Sequence, residues 1–339
     1  MMDLPLIWYM VIGVSVMMYA VLDGFDLGVG AIYLLFRKDQ ERRILLNAIG
    51  PVWDGNEVWL VIVLGGLMAG FTPVYAALLS GFYTPTMLLI FFIIFRAVAI
   101  EFRSKKEERY WRQFWDGVFC FSSIAMAFLL GVGVGNILLG VPLSSDQSFV
   151  GSLALFFRLK ALSIGVCAVA LFTMHGTNYV CMKTRDEIRN RAKAIGFASV
   201  LLFFLVYLII TLDVIEEAPW MLEPFYRYPF LSIVPVGAFC SICLIPYCLH
   251  KNCFGYAFIF SSLSILFLLS LFGIGTFPYL LRSSQDLEHS LTIYNTASSE
   301  KTLMILITIA VIGVPLVIAY GYCVYRIFRG KVALDKQSY

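Results

Sequence analysis

PLIWYMVIGVSVMMYAVL, residues 5–22, carries no charged side chain, and no basic residue precedes it. It is too long for the apolar core of a cleavable leader and runs on without a small-residue cleavage site, so it reads as a first membrane-spanning helix. The rest of the chain agrees. Over 339 residues the composition is 60% hydrophobic and 14% charged, with a mean hydropathy of +0.85. Those values lie outside the soluble globular norm and inside the polytopic membrane class. The lipid bilayer is therefore the medium of the fold, and nothing points to nucleic acid.

Apolar runs of roughly 20 residues, enough to cross a hydrocarbon core about 30 Å thick, recur near 6–36, 44–70, 74–100, 114–140, 153–181, 195–212, 229–249, 255–280 and 302–325. The expectation is an all-α chain of nine transmembrane helices forming one integral membrane domain over residues 1–339. Most of the 25 lysines and arginines fall in alternate connections: RKDQERR, RSKKEERYWR, KTRDEIRNRAK, HKNC and the tail RIFRGKVALDK. The intervening loops, such as VPLSSDQSF and DVIEEAPWMLEPFYRYP, are poor in bases. By the positive-inside rule the N-terminus is outside and the C-terminus cytoplasmic. The small-residue runs LDGFDLGVGA and LLGVGVGNILLG suit close helix packing.

Four carboxylates interrupt the first two runs. An ionisable side chain at membrane depth costs several kcal/mol and is a functional candidate by default. Asp23 and Asp26 are spaced i, i+3, as are Asp54 and Glu57 in WDGNEVW, so each pair is expected on one helix face. Asp26 lies eleven residues from Arg37 and Asp54 eleven from Arg43, about 16 Å in at 1.5 Å per residue. Arg96, seven residues before Arg103, lies about 10 Å in and is the natural counter-charge. Arg158 and Lys160 either reach this cluster or snorkel to the interface. One reading makes the network a lock for the first three spans, with Arg96 on one carboxylate and the others on Asn56, Thr84 and Tyr83. The other makes it a proton relay, since a desolvated carboxylate can titrate near neutral pH, and four acids against one arginine exceed what a lock requires. Trp53 and Trp59 flank the acidic turn as walls against lipid.

Redox ligands are scarce. Of three histidines only His175, in FTMHGTNYV, lies inside a span, and a lone histidine there is more often a hydrogen-bonded core residue than a haem ligand. Seven of the eight cysteines fall in or at the ends of apolar runs as small hydrophobes. CSIC at 240–243 lacks the second pair that a zinc site needs. No metal site and no nucleotide-binding motif is indicated.

The segments LDGFDLGVG, ERRILLNAIGPVWDGNEVWL, VYAALLSGFY, FRAVAIEFRSK, WRQFWD, HGTNYVCMKT and LTIYNTASSEKTL resemble subunit II of the cytochrome bd quinol oxidases over nearly the whole chain. The resemblance implies two four-helix bundles plus one peripheral helix in a bacterial cytoplasmic membrane. It further implies a complex that oxidises quinol and reduces O2 to water, with haem b and haem d held mainly by a partner subunit I. A bound quinone or lipid in this subunit is compatible with it. It also implies a cytoplasmic proton pathway through the aspartate of the WDGN motif, here Asp54, with Asp23, Asp26, Trp53 and Asn56 at further motif positions. Two other readings remain at this stage: a proton-coupled transporter, whose matched helix breaks in inverted repeats are not visible here, and a purely structural partner subunit.

Overall fold

The computed structural model describes residues 2–333. Helix α1 (Leu4–Ile32) is about 44 Å long at 1.5 Å per residue, and Asp3 caps it by accepting from the Leu6 N–H. The second apolar run is two helices, α2 (Asp39–Ile49) and α3 (Trp53–Gly70), bent by 49°. The cause is local: Gly50 loosens the chain and Pro51 has no N–H to continue the ladder. The third run is likewise interrupted at Phe82, between α4 (Thr72–Gly81) and α5 (Tyr83–Phe102).

Helices α6 (Arg109–Leu139), α7 (Leu159–Lys183) and α8 (Asp186–Glu217) follow, then the short α9 (Glu223–Arg227), α10 (Ile233–His250), α11 (Phe254–Thr276) and α12 (Glu300–Ile327). Residues 153–157, expected to open the fifth span, form a separate 3-10 turn before α7. Helix α8 is longer than its apolar run at both ends. Among the described residues eight helices are long and apolar enough to cross a bilayer, and nine spans result if α2 and α3 count as one.

Helix α7 is central, packing against α1, α6, α8 and α11, while α5 lies on α6 and α10 on α11. Where α1 crosses α7, a Cβ on Gly28 would run into the Phe172 carbonyl and lie 2.8 Å from the Gly176 nitrogen. Gly135 of α6 similarly faces the backbone of Ala161. Both small-residue runs thus act as close-packing seams. Only Leu303 of α12 is buried, which leaves that helix at the periphery.

The core divides by level. At the end bearing the basic loops, Phe25, Tyr33, Leu45, Trp53, Tyr179 and Phe203 pack together. At the opposite end, Trp8, Phe71, Val74, Leu143 and Leu291 form a second cluster. The two-stranded β1 (Tyr279–Leu281) and β2 (Leu291–Thr292) pair antiparallel over it. The NTASS turn is tied down there, with the Ser298 N–H and hydroxyl donating to the carbonyls of Gly70 and Ala69.

Candidate functional site

The buried charges of α1, α3 and α5 meet. Arg96 Nη2 donates to Asp23 Oδ1 at 2.6 Å and lies 3.3 Å from Glu57 Oε1. Asp26, one helical turn further along α1, accepts from Asn56 Nδ2 at 2.7 Å. The same amide nitrogen reaches the Leu22 carbonyl at 3.3 Å. Asn56 Oδ1 in turn accepts from the Tyr325 hydroxyl at 2.9 Å, which brings α12 into the cluster. Asp23, Asp26, Asn56 and Arg96 are each no more than 3% exposed.

Such charges stay ionised away from water only where partners are close. Here pairing is incomplete: Asp23 Oδ2, Asp26 Oδ1, and Arg96 Nε and Nη1 are buried without a protein hydrogen-bond partner. These atoms leave hydrogen-bonding capacity that the described side chains do not fill.

Asp54 stands apart. It is exposed in the first turn of α3 and makes no hydrogen bond or ion pair among the described residues, whereas Trp53, Asn56 and Trp59 are buried. The i, i+3 spacing with Glu57 therefore does not place both acids on Arg96. Glu57 takes the inward position beside α5, and Asp54 points off the bundle. Of the walls, Trp53 joins the core and Trp59 lines a cavity against α12. Tyr83 and Thr84 are exposed at the far end of α5 and do not serve the cluster. Neither do Arg158 and Lys160: Arg158 Nη1 donates to the Gly140 carbonyl at 3.0 Å, and Lys160 pairs with Glu217.

His175 occupies the position of a core residue. Its Nδ1 lies 2.7 Å from Ser261 Oγ and its Nε2 2.9 Å from the Val21 carbonyl, and its ring stacks on Phe258 at 4.8 Å. Both nitrogens are engaged, so no lone pair is presented to a metal. Among the described residues no group of three or more His, Cys, Asp or Glu side chains has metal-site geometry.

A second network was hidden in what the sequence presents as loop charge. Buried Arg103 donates through Nε to Asp116 Oδ1 at 2.6 Å and through Nη2 to Asp39 Oδ1 at 2.7 Å. Asp116 also accepts from Arg42 at 2.7 Å, and Asp39 from Arg112 at 2.9 Å. This network fastens α2 to the ends of α5 and α6. The sequence signal available was Asp116, an acid one turn inside an apolar run and facing a basic loop.

A multi-helix chain of this kind, with a buried and partly paired carboxylate–arginine cluster near its basic end, is a polytopic membrane protein carrying ionisable groups inside its helix bundle, and similarity to known proteins specifies its family. The family described as Cytochrome bd terminal oxidase subunit II matches residues 4–328, and the chain belongs to that family. It is 32% identical to Cytochrome bd-I ubiquinol oxidase subunit 2 of Escherichia coli K12, over 98% of this chain and 96% of that one. It is 29% identical to Cytochrome bd ubiquinol oxidase subunit 2 of Bacillus subtilis, over 96% of each. Its fold is similar to that of a chain of the bd oxidase from Geobacillus thermodenitrificans, with a TM-score of 0.80 at 20% identity, covering 96% of this chain and 99% of that one.

Proposed function

We propose that this chain is the proton-supplying, haem-free subunit of a quinol-oxidising, O2-reducing complex. Its partner is a subunit I that holds haem b and haem d, and the quinol is oxidised there. The observation that carries the proton role is the set of three carboxylates around one arginine, with Asp23 and Asp26 buried and several polar atoms unpaired. The engaged nitrogens of His175 support assigning the haems to the partner. Asp54, on the outer face of α3, suits a handover to a neighbouring subunit better than a link within this one.

The helices are read as two four-helix bundles with α12 peripheral, in a bacterial cytoplasmic membrane with the basic loops inside. In that orientation the cluster lies about 10 Å in from the Arg103 level. Protons consumed by O2 reduction then enter from the cytoplasm, and each charge moved across the bilayer corresponds to about 2.3 kcal/mol per 100 mV. Asp23, matched to Arg96 at 2.6 Å, serves as the fixed counter-ion, while Asp26 and Glu57 are the acids free to exchange protons.

The test is Glu57→Gln and Asp54→Asn in the assembled oxidase. Both are expected to slow quinol-dependent O2 uptake at least tenfold with unchanged haem spectra. Wild-type turnover in both variants would reduce the cluster to a structural lock.

A further inference from the structure

Beyond Ile327 the chain turns back onto the end of α7. Lys183 Nζ donates to the Phe328 carbonyl at 2.7 Å, the Val332 N–H donates to the Lys183 carbonyl at 2.9 Å, and Lys331 Nζ donates to the Met182 carbonyl. Residues 328–332 therefore form a strap. It bears on the whole of α12, because Leu303 is the one buried residue of that helix.

The strap also gathers cations. Burial, and after it the charges of Arg189, Arg185 and Lys183, hold the Lys331 ammonium below the usual lysine pKa. Arg189 donates through Nε and Nη2 to the Thr184 carbonyl at 3.0 and 2.6 Å. Lys183, Arg189 and Lys331 thus hydrogen-bond to carbonyl oxygens, and neither they nor Arg185 form an ion pair among the described residues. Elsewhere at the same end the cations have acids: Lys38 pairs with Glu187, Arg191 with Glu41, Arg42 with Asp116 and Arg112 with Asp39. Of the acids in the α7–α8 turn, Glu187 is thereby taken and Asp186 is exposed, paired with none of the four. Like charges gathered without an acid repel one another, and a bound anion relieves that repulsion where a carbonyl offers only a partial charge.

The surroundings select the kind of anion. Lys331 is half-buried and Arg185 exposed, so both are open to a ligand. Ile327 and Phe328, directly before the strap, are exposed, as are Leu316 and Tyr320 on the same helix. An acyl chain has this apolar wall to follow while its headgroup meets the cations, and basic pockets at helix ends suit anionic headgroups. We propose that Lys331 and Arg185, backed by Arg189 and Lys183, bind the phosphate of an anionic phospholipid of the adjacent leaflet, stapling the strap, and with it α12, to the α7–α8 turn. The site is separate from the acid cluster and does not depend on its role.

The test uses the assembled oxidase, delipidated in detergent, with its unfolding temperature read against added phosphatidylglycerol, phosphatidylcholine or inorganic phosphate. The expected result is a rise of several degrees with phosphatidylglycerol alone, since a ligand that binds only the folded state stabilises it by mass action. Lys331→Gln with Arg185→Gln is expected to need about tenfold more phosphatidylglycerol for the same rise. Arg227→Gln with Lys301→Gln, which removes two exposed cations at the opposite end, is expected to leave the response unchanged. An equal rise with phosphatidylcholine, or a wild-type response in the Lys331 and Arg185 variant, overturns the site; a full rise with inorganic phosphate alone overturns the choice of a lipid. Should the double variant not assemble, single ones decide: Lys331→Arg is expected to respond as wild type and Lys331→Gln several-fold more weakly, and equal responses overturn the proposal.

Discussion

Arg96 is buried between Asp23 and Glu57 with two guanidinium nitrogens unpaired, so removing it strands charge in a medium of low dielectric. Breaking such a pair costs about 3–5 kcal/mol, whereas replacing both partners by well-packed apolar side chains is often neutral. Arg96→Gln is therefore expected to lower the unfolding temperature of the complex in detergent, and Arg96→Met with Asp23→Leu to restore most of it; equal melting of the single variant and wild type would show that the pair holds nothing. Asp54 is exposed, so Asp54→Asn is expected to change stability by under about 0.5 kcal/mol, and any loss of turnover there is functional. Tyr325→Phe removes one hydrogen bond worth about 1 kcal/mol and frees the Asn56 amide to rotate. Slower O2 uptake with unaltered haem spectra is the expected reading, and unchanged uptake would show the amide needs no such support. Much of this was legible in the sequence: the i, i+3 acids and the seven residues from Arg96 to Arg103 led to the Arg96 pair. The outward turn of Asp54 was not, because i, i+3 positions are still about 60° apart around a helix, enough for Glu57 to face α5 while Asp54 in the same helix is exposed. Tyr325 gave no local signal, since it meets Asn56 from 269 residues away.

Helix packing depends on where backbone meets backbone. At the α1–α7 crossing Gly28 has no room for a Cβ, while Gly133 on α6 has nothing within 4 Å. Gly28→Leu is expected to abolish recovery of the assembled complex and Gly133→Leu to leave it near wild type, measured as haem-containing complex per cell. Similar yields would mean that α1 and α7 can separate without cost. The Asp39–Arg103–Asp116 network holds α2 at its angle. Loop charges are read from sequence only for topology, which is why this network stayed hidden, as did the division of the second and third apolar runs into four helices. Hydropathy senses length and apolarity, and a proline or glycine within an apolar run leaves both nearly unchanged.

Across the whole molecule, the alternation of basic and base-poor loops matches the ends at which the helices turn, and the peripheral placement of α12 puts Tyr325 at the edge of the acid cluster. The topology inferred from charge reaches to Tyr339, which lies outside the described residues. The claim that binds these scales together is that protons reach the oxygen-reducing partner through the Asp26–Glu57 cluster. It is tested most directly by the pH change outside inverted vesicles containing the purified oxidase, after a pulse of O2 with quinol in excess. With the basic loops facing the bath, wild type is expected to alkalinise it in step with O2 consumption. Asp26→Asn, with intact haem spectra, is expected to lose at least nine-tenths of both signals; proton uptake at the wild-type rate in that variant would contradict the claim.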